Sequence, residues 1–175
     1  EAGRVDMSYF DDALFIGDSL TRGFQEYSSG IPNAKYAAYL GAGPKQFMEG
    51  LVENISGQQV AAIDEILAAA PKKVYILLGT NTLTTLGAAD RFLAYYGQML
   101  DLLRQTLGND CVIYVQSIPP VRPAAAAEKP GLASDVIRSV NEQLALLAAD
   151  KGCVYLDLWE TFADGEGNLK EVLAA

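Results

Sequence analysis

Three short polar stretches of this sequence carry residue types that could do chemistry together. They are Gly17-Asp18-Ser19, Gly41-Ala42-Gly43 and Gly79-Thr80-Asn81. A serine hydroxyl becomes a nucleophile when a base accepts its proton, and hydrogen-bond donors then stabilise the tetrahedral oxyanion. The N–H groups of Ser19 and Gly41 and the side-chain amide of Asn81 would supply three such donors. The stretches therefore indicate nucleophilic attack on a carbonyl carbon.

Each of these residues also has an ordinary structural interpretation. Ser19 could be a helix N-cap, and Asn81 could form a turn. Gly41 and Gly43 could be present only because the backbone there adopts a positive φ angle. Gly43 is the alternative to Gly41 as a donor. Because the three stretches occur in order, each after an apolar run, the joint function is favoured. The residues predicted to support the site are Gly17, Asp18, Gly79 and Thr80.

The apolar runs around these stretches predict the strands of a parallel sheet. Five runs have this character, at residues 13–17, 35–40, 73–79, 111–118 and 154–158. Near-continuous apolar runs are typical of strands covered on both faces. Ligands of such sheets bind at the carboxyl ends of the strands. With the first and third strands adjacent, we expect Ser19 and Asn81 to lie near each other.

Amphipathic helices are predicted between the strands. The first spans about residues 58–70, and its apolar face carries Val60, Ile63, Ile66 and Leu67. The second carries an apolar stripe from residue 92 to 107, and the third carries one from residue 136 to 147. Gly108 and Gly152 stand where the second and third helices should end. The alternation predicts a three-layer α/β/α sandwich. The proline-rich residues 121–131 are interpreted as a loop-like insertion, and no comparable helix is predicted after the last strand.

The composition excludes several classes of function. The net charge is −9, the isoelectric point is near 4.4 and basic residues form no run, which argues against nucleic acids and anionic membrane surfaces. No apolar stretch approaches the ~20 residues of a membrane span. The chain has no His and only two Cys, so neither a zinc site nor any other metal or cofactor is predicted. Cys111 and Cys153 are interpreted as buried thiols rather than as a disulfide.

The same stretches resemble the sequence blocks of the GDSL or SGNH hydrolases. "FIGDSLTRGF" is similar to the first block nearly letter for letter, "YLGAG" lies at the second, "LLGTNTL" resembles the third, and "VQSIPPV" resembles a run on the fourth strand of relatives. The resemblance covers most of the chain and implies a flavodoxin-like fold with a five-stranded parallel sheet. It further implies that Ser19 is the nucleophile, with the Ser19 N–H, the Gly41 N–H and Asn81 forming the oxyanion hole. In relatives an Asp often follows this Asn, where the present chain has Thr82.

The chain departs from this family at the general base. Family members carry Asp-x-x-His near the C-terminus, whereas this chain has no His, and "FADGEGNL" at 162–169 resembles a phrase that precedes that loop. We therefore expect a single domain over residues 1–175 that lacks its Asp-x-x-His loop and last helix, in preference to a natural pseudoenzyme. Without the imidazole the chain itself is expected to be inactive.

The resemblance leads to an expected function. We expect a serine esterase that removes a small acyl group, acetyl in the first instance, from a carbohydrate or cell-wall polymer. One alternative is a non-catalytic module that binds acylated glycans, and another is a phosphate or nucleotide binder using Ser19, Thr21 and Gly23. By analogy with bacterial relatives the location is expected to be extracytoplasmic, and otherwise cytoplasmic. The oligomeric state stays open, and the strand tyrosines are interpreted as packing residues rather than sugar platforms.

Overall fold

The computed structural model describes residues 7–18, 21 and 34–170. Its strands are β1 (Ala13–Gly17), β2 (Lys35–Ala38), β3 (Val52–Glu53), β4 (Gln59–Val60), β5 (Lys73–Leu77), β6 (Val112–Gln116) and β7 (Val154–Leu156). Five of them form a parallel sheet in the order β2-β1-β5-β6-β7, and β3 and β4 form a separate antiparallel pair. The predicted α/β class, with a flavodoxin-like five-stranded parallel sheet, is confirmed.

Each of the four later strands of this sheet ends before the end of the apolar run that predicted it. The chain leaves β5 at Leu77, two residues before Gly79, whose φ of 142° lies outside the range of a strand. The Gly79 carbonyl instead accepts the N–H groups of Thr82 at 3.1 Å and Leu83 at 3.0 Å. The last residues of this apolar run therefore form the turn at the carboxyl end of the strand, and they do not pair with a neighbouring strand.

The helices are α1 (Pro44–Met48), α2 (Ala62–Ala69), α3 (Ala88–Leu107), α4 (Pro123–Glu128), α5 (Ser134–Asp150) and α6 (Trp159–Phe162), with 3₁₀ turns at Met7–Phe10 and Pro130–Leu132. The long helices α3 and α5 were both predicted, and α3 ends at Gly108, whose N–H donates to the Arg104 carbonyl at 2.9 Å. No helix in the described part of the chain has the length and apolar content needed to cross a membrane.

Three local predictions were wrong. The helix predicted from residue 58 begins at Ala62, because residues 59–60 pair with 52–53 in a small hairpin. Leu67, predicted on its buried face, is 54% exposed. The proline-rich insertion is not a loop but holds α4 and a 3₁₀ turn, with Pro123 at the first helical position, where its missing N–H has no cost.

The two faces of the sheet carry different side chains. Alternate strand residues, all aliphatic, enter one hydrophobic core together with α2, α3 and α5; these strand residues are Leu14, Ile16, Val74, Ile76, Ile113 and Val115. The opposite face carries a row of rings, in which Phe15 stacks on Tyr36 at 5.5 Å and on Tyr75 at 5.1 Å, and Tyr75 stacks on Tyr114 at 4.5 Å between centroids. Phe10 packs on this row at 5.9 Å from Tyr75. These strand aromatics are packing residues, as the sequence predicted.

The two cysteines are free thiols, in agreement with the sequence analysis. Cys111 is buried, whereas Cys153 is only partly buried. Burial raises the pKa of both thiols, although the Arg104 guanidinium acts in the opposite direction. Both side chains therefore favour the protonated thiol over the reactive thiolate and serve as packing groups.

Candidate active site

The ends of three neighbouring strands lie at the same level of the sheet. Gly17, the last residue of β1, pairs with Ala38 of β2 and with Leu77 of β5. The Gly17 carbonyl also accepts the N–H of Tyr39 at 3.1 Å, which holds the exit of β2 against that of β1. The stretches after the three strands therefore begin side by side. Ser19, the predicted nucleophile, lies outside the described residues.

Asp18 and Thr80 connect the first stretch to the third. Asp18 is 1% exposed, and the Thr80 hydroxyl donates to its Oδ2 at 3.3 Å. Gly17 leaves no room for a side chain, since a Cβ there would overlap Thr21 Oγ1 and lie 2.9 Å from the Leu77 carbonyl oxygen. These contacts fix the backbone on the N-terminal side of Ser19 and fit the supporting role predicted for Gly17, Asp18 and Thr80.

The second and third stretches touch directly. A Cβ on Gly43 would overlap the Thr82 hydroxyl, so the two turns are in van der Waals contact only because residue 43 is glycine. The Gly43 N–H donates to Gln46 Oε1 at 2.9 Å and closes the N-terminus of α1. Gly41 has a φ of 70° and no atom within 4 Å of its Cβ position. Because the Gly43 N–H is already used, Gly41 is the better of the two candidate donors.

The third stretch presents the side-chain amide of Asn81. Its Nδ2 is buried and finds no hydrogen-bond partner among the described residues. The turn that presents it is closed on the Gly79 carbonyl, and a Cβ on Gly79 would lie 2.8 Å from the Ile118 side chain. A buried unpaired donor is costly, and such exceptions to pairing call for an explanation such as a functional role.

Gly41 and Asn81 line one cleft of about 540 Å³, within the usual range of ligand sites. Its other described walls are α1, the segment 82–88 and the first turns of α3. The polar side chains among them are Lys45, Gln46, Thr82, Thr85, Arg91 and Tyr95. The cleft can therefore hold a small polar ligand beside Gly41 and Asn81, two residues of the predicted oxyanion hole.

Sequence reasoning missed the cleft residues on α1 and α3. Arg91 and Tyr95 are four residues apart, on the side of α3 next to the buried stripe of Phe92 and Tyr96. The available signal was this polar i, i+4 pair, which begins ten residues after Asn81. No cluster of three or more potential metal ligands occurs within residues 7–18, 21 and 34–170.

Comparison with known proteins defines the class. The sequence matches the GDSL-like lipase/acylhydrolase family over residues 15–175, and the chain belongs to this family. The predicted family is thus confirmed, and with it the class of hydrolases. The comparison with curated proteins gave no match.

Several solved structures share the fold. A GDSL-like lipase from Bacteroides thetaiotaomicron has a TM-score of 0.66 at 15% identity, with 93% of this chain and 76% of that chain covered. A lipase/acylhydrolase from Enterococcus faecalis has 0.57 at 16% identity, with 91% and 88% covered. An acetyl xylan esterase has 0.58 at 17% identity, with 85% and 78% covered. At these identities the likeness is one of fold.

Proposed function

We propose that this chain carries the nucleophile and the oxyanion hole of a serine esterase that removes a small acyl group, acetyl in the first instance, from a carbohydrate or cell-wall polymer. The observation that carries the proposal is the buried amide nitrogen of Asn81, which has no partner among the described residues, in a residue that lines the same cleft as Gly41. Membership of the acylhydrolase family supplies the reaction class.

In the proposed reaction, Ser19 Oγ attacks the ester carbonyl carbon while a base accepts its proton. The carbonyl π electrons move to oxygen, and the N–H groups of Gly41 and Ser19 and the amide of Asn81 stabilise the resulting anion. Collapse of this intermediate expels the alcohol, which takes the proton, and leaves an acyl-serine that water hydrolyses. One donor of an oxyanion hole contributes about 3–4 kcal/mol to the transition state.

These 175 residues supply no imidazole base, because the sequence has no His. A serine hydroxyl without a base is a weak nucleophile, and only the catalysis of the oxyanion hole and of binding remains. Asp18 is a poor substitute, since it is buried and bonded to the Thr80 hydroxyl.

The proposed substrate rests on the cleft. Its polar lining and moderate volume suit a short acyl group on a sugar better than a long lipid chain. A neighbour in fold is an acetyl xylan esterase, which acts on such a bond. A polymer of this kind would be met outside the cytoplasm, so we place the protein there.

Rescue by added imidazole tests the proposal. The 175-residue chain is incubated with p-nitrophenyl acetate and increasing imidazole, and the rate with Ser19→Ala is subtracted as the background. We expect a Ser19-dependent rate that rises with imidazole, and a loss of about 10²- to 10³-fold in Asn81→Ala. Equal rates for the wild type and Ser19→Ala would refute the nucleophile. A preference for p-nitrophenyl octanoate over acetate would refute the small acyl group.

The absence of His favours one second candidate, a module that binds acylated glycans without cleaving them. Calorimetry with acetylated and deacetylated xylo-oligosaccharides distinguishes the two. Binding of the acetylated form, together with no Ser19-dependent rate at any imidazole concentration, would support the binding module. A Ser19-dependent rate excludes it.

A further inference from the structure

We infer that the cleft beside Gly41 and Asn81 recognises an anionic group of the ester substrate, through Lys45 and Arg91. This inference rests on the proposed function, because it specifies the substrate class of the same site. The simplest such group is a carboxylate close to the scissile ester. It could belong to an acidic sugar or to an acidic acyl group.

The charge of the cleft is opposite to that of the protein. The chain has 22 acidic and 13 basic residues. The described residues that line the cleft nevertheless include two cations, Lys45 and Arg91, and no Asp or Glu. An acidic protein that collects only cations around a cleft creates a local attraction for anions.

Arg91 is available to a ligand. It is exposed at the first turns of α3 and forms no ion pair within the described ranges. Its planar guanidinium can donate two parallel hydrogen bonds to a carboxylate, which a neutral ligand group cannot accept equally well. The neighbouring Asp90 is also exposed, but it does not line the cleft.

Lys45 is only weakly engaged within the protein. Its Nζ lies 3.5 Å from Glu49 Oε1, and the two side chains are 52% and 61% exposed. An exposed i, i+4 pair of this kind contributes little, so a ligand anion can compete for the ammonium. The same Nζ lies 5.7 Å from the centroid of the Tyr95 ring, and Tyr95 also lines the cleft.

The end of α3 acts in the same direction. Gly87 and Ala88, at the N-terminus of this 20-residue helix, also line the cleft. The positive end of the helix dipole therefore lies at the wall of the cleft. Asp90 in the first turn offsets part of this field, so Lys45 and Arg91 are the residues that should decide anion binding.

Binding of a matched pair of ligands tests the inference without catalysis. The probes are 4-acetamidobenzoate and 4-acetamidobenzamide, whose amide bond replaces the ester and whose shapes are nearly equal. By calorimetry at 20 mM salt we expect the carboxylate to bind at least fivefold more tightly, with most of this preference lost at 500 mM. Arg91→Gln and Lys45→Gln should each lower the affinity for the carboxylate about fivefold.

Lys72→Gln is the control variant, because it removes the same charge from an exposed residue just before β5, at the opposite end of the strand. It should leave both affinities unchanged. Equal binding of the two probes, or full preference for the carboxylate in Arg91→Gln, would overturn the inference.

Imidazole-supported rates identify the source of the anion. Comparison of 4-acetoxybenzoate with 4-acetoxybenzamide tests an acidic alcohol, and comparison of the p-nitrophenyl esters of succinate and butyrate tests an acidic acyl group. A Ser19-dependent rate with no anion preference in binding would overturn this inference and leave the esterase proposal standing. Anion preference in binding without any Ser19-dependent rate would support the cleft and overturn the esterase.

Discussion

Asn141 joins helix α5 to the end of β6 through both of its side-chain polar atoms. Its Oδ1 accepts the Ile118 N–H at 2.8 Å, and its Nδ2 donates to the Ile118 carbonyl at 3.0 Å. Asn141 is 7% exposed, and Ile118 is fully buried. We predict that Asn141→Ala is strongly destabilising, because it leaves two buried backbone groups without partners.

The magnitude follows from the number of groups involved. Each unsatisfied buried group costs about 1–3 kcal/mol. The higher helix propensity of alanine returns about 0.6 kcal/mol. The free energy of unfolding should therefore fall by about 1.4–5.4 kcal/mol, from a total of about 5–15 kcal/mol for a domain.

Urea unfolding followed by circular dichroism measures this loss. Gln143→Ala on the same helix is the matched control, since Gln143 is exposed and makes only a long hydrogen bond of 3.4 Å to the Ser139 carbonyl. The control should change the free energy of unfolding by less than about 0.5 kcal/mol. A loss below about 1 kcal/mol in Asn141→Ala would show that water or a local shift satisfies Ile118, and would refute the reasoning.

Two further predictions concern partly buried polar groups. Glu65 accepts hydrogen bonds from the Tyr39 hydroxyl at 2.6 Å and from Asn54 Nδ2 at 3.1 Å. Glu65→Leu leaves both donors without this acceptor and should cost about 1–3 kcal/mol in urea unfolding, whereas a loss equal to that of the exposed control Asp64→Leu would contradict this. Burial and a nearby carboxylate raise the pKa of Tyr155 to about 12. The folded state therefore keeps a proton that the unfolded state loses, and stability should fall from pH 10 to pH 12. Tyr155→Phe should lose less stability over this range, and equal losses would exclude Tyr155 as a cause.

The parts of the fold that the sequence predicts are those with long periodic patterns. The stripe of α3 repeats over five turns, so its position and its end at Gly108 follow from the sequence. The β3–β4 hairpin has two residues in each strand, too few for any period. Val60 fits the stripe of a helix equally well, and only its pairing with Val52 decides the outcome.

The candidate site likewise has one part that the sequence predicts and one part that it does not. Gly41, Asn81 and the supporting glycines follow strand ends, where topology alone brings them together. The contact of Gly43 with Thr82 and the packing of α1 beside α3 depend on the folded chain. Lys45 and Arg91 are 46 positions apart, and no local pattern indicates that both line one cleft.

The row of stacked rings has a consequence for the chemistry at the sheet edge. Phe15 pairs with Tyr36 and with Tyr75 in the same ladders in which, two residues later, Gly17 pairs with Ala38 and Leu77. A shift of one strand by a single residue would move its end by about 3.3 Å. It would also turn the aromatic residue of that strand to the face of the sheet that carries the aliphatic strand residues. Donors on different strands must meet one oxygen at about 2.9 Å. The aromatic row thus helps to fix the register of these strands, and with it the level at which the loops after them begin.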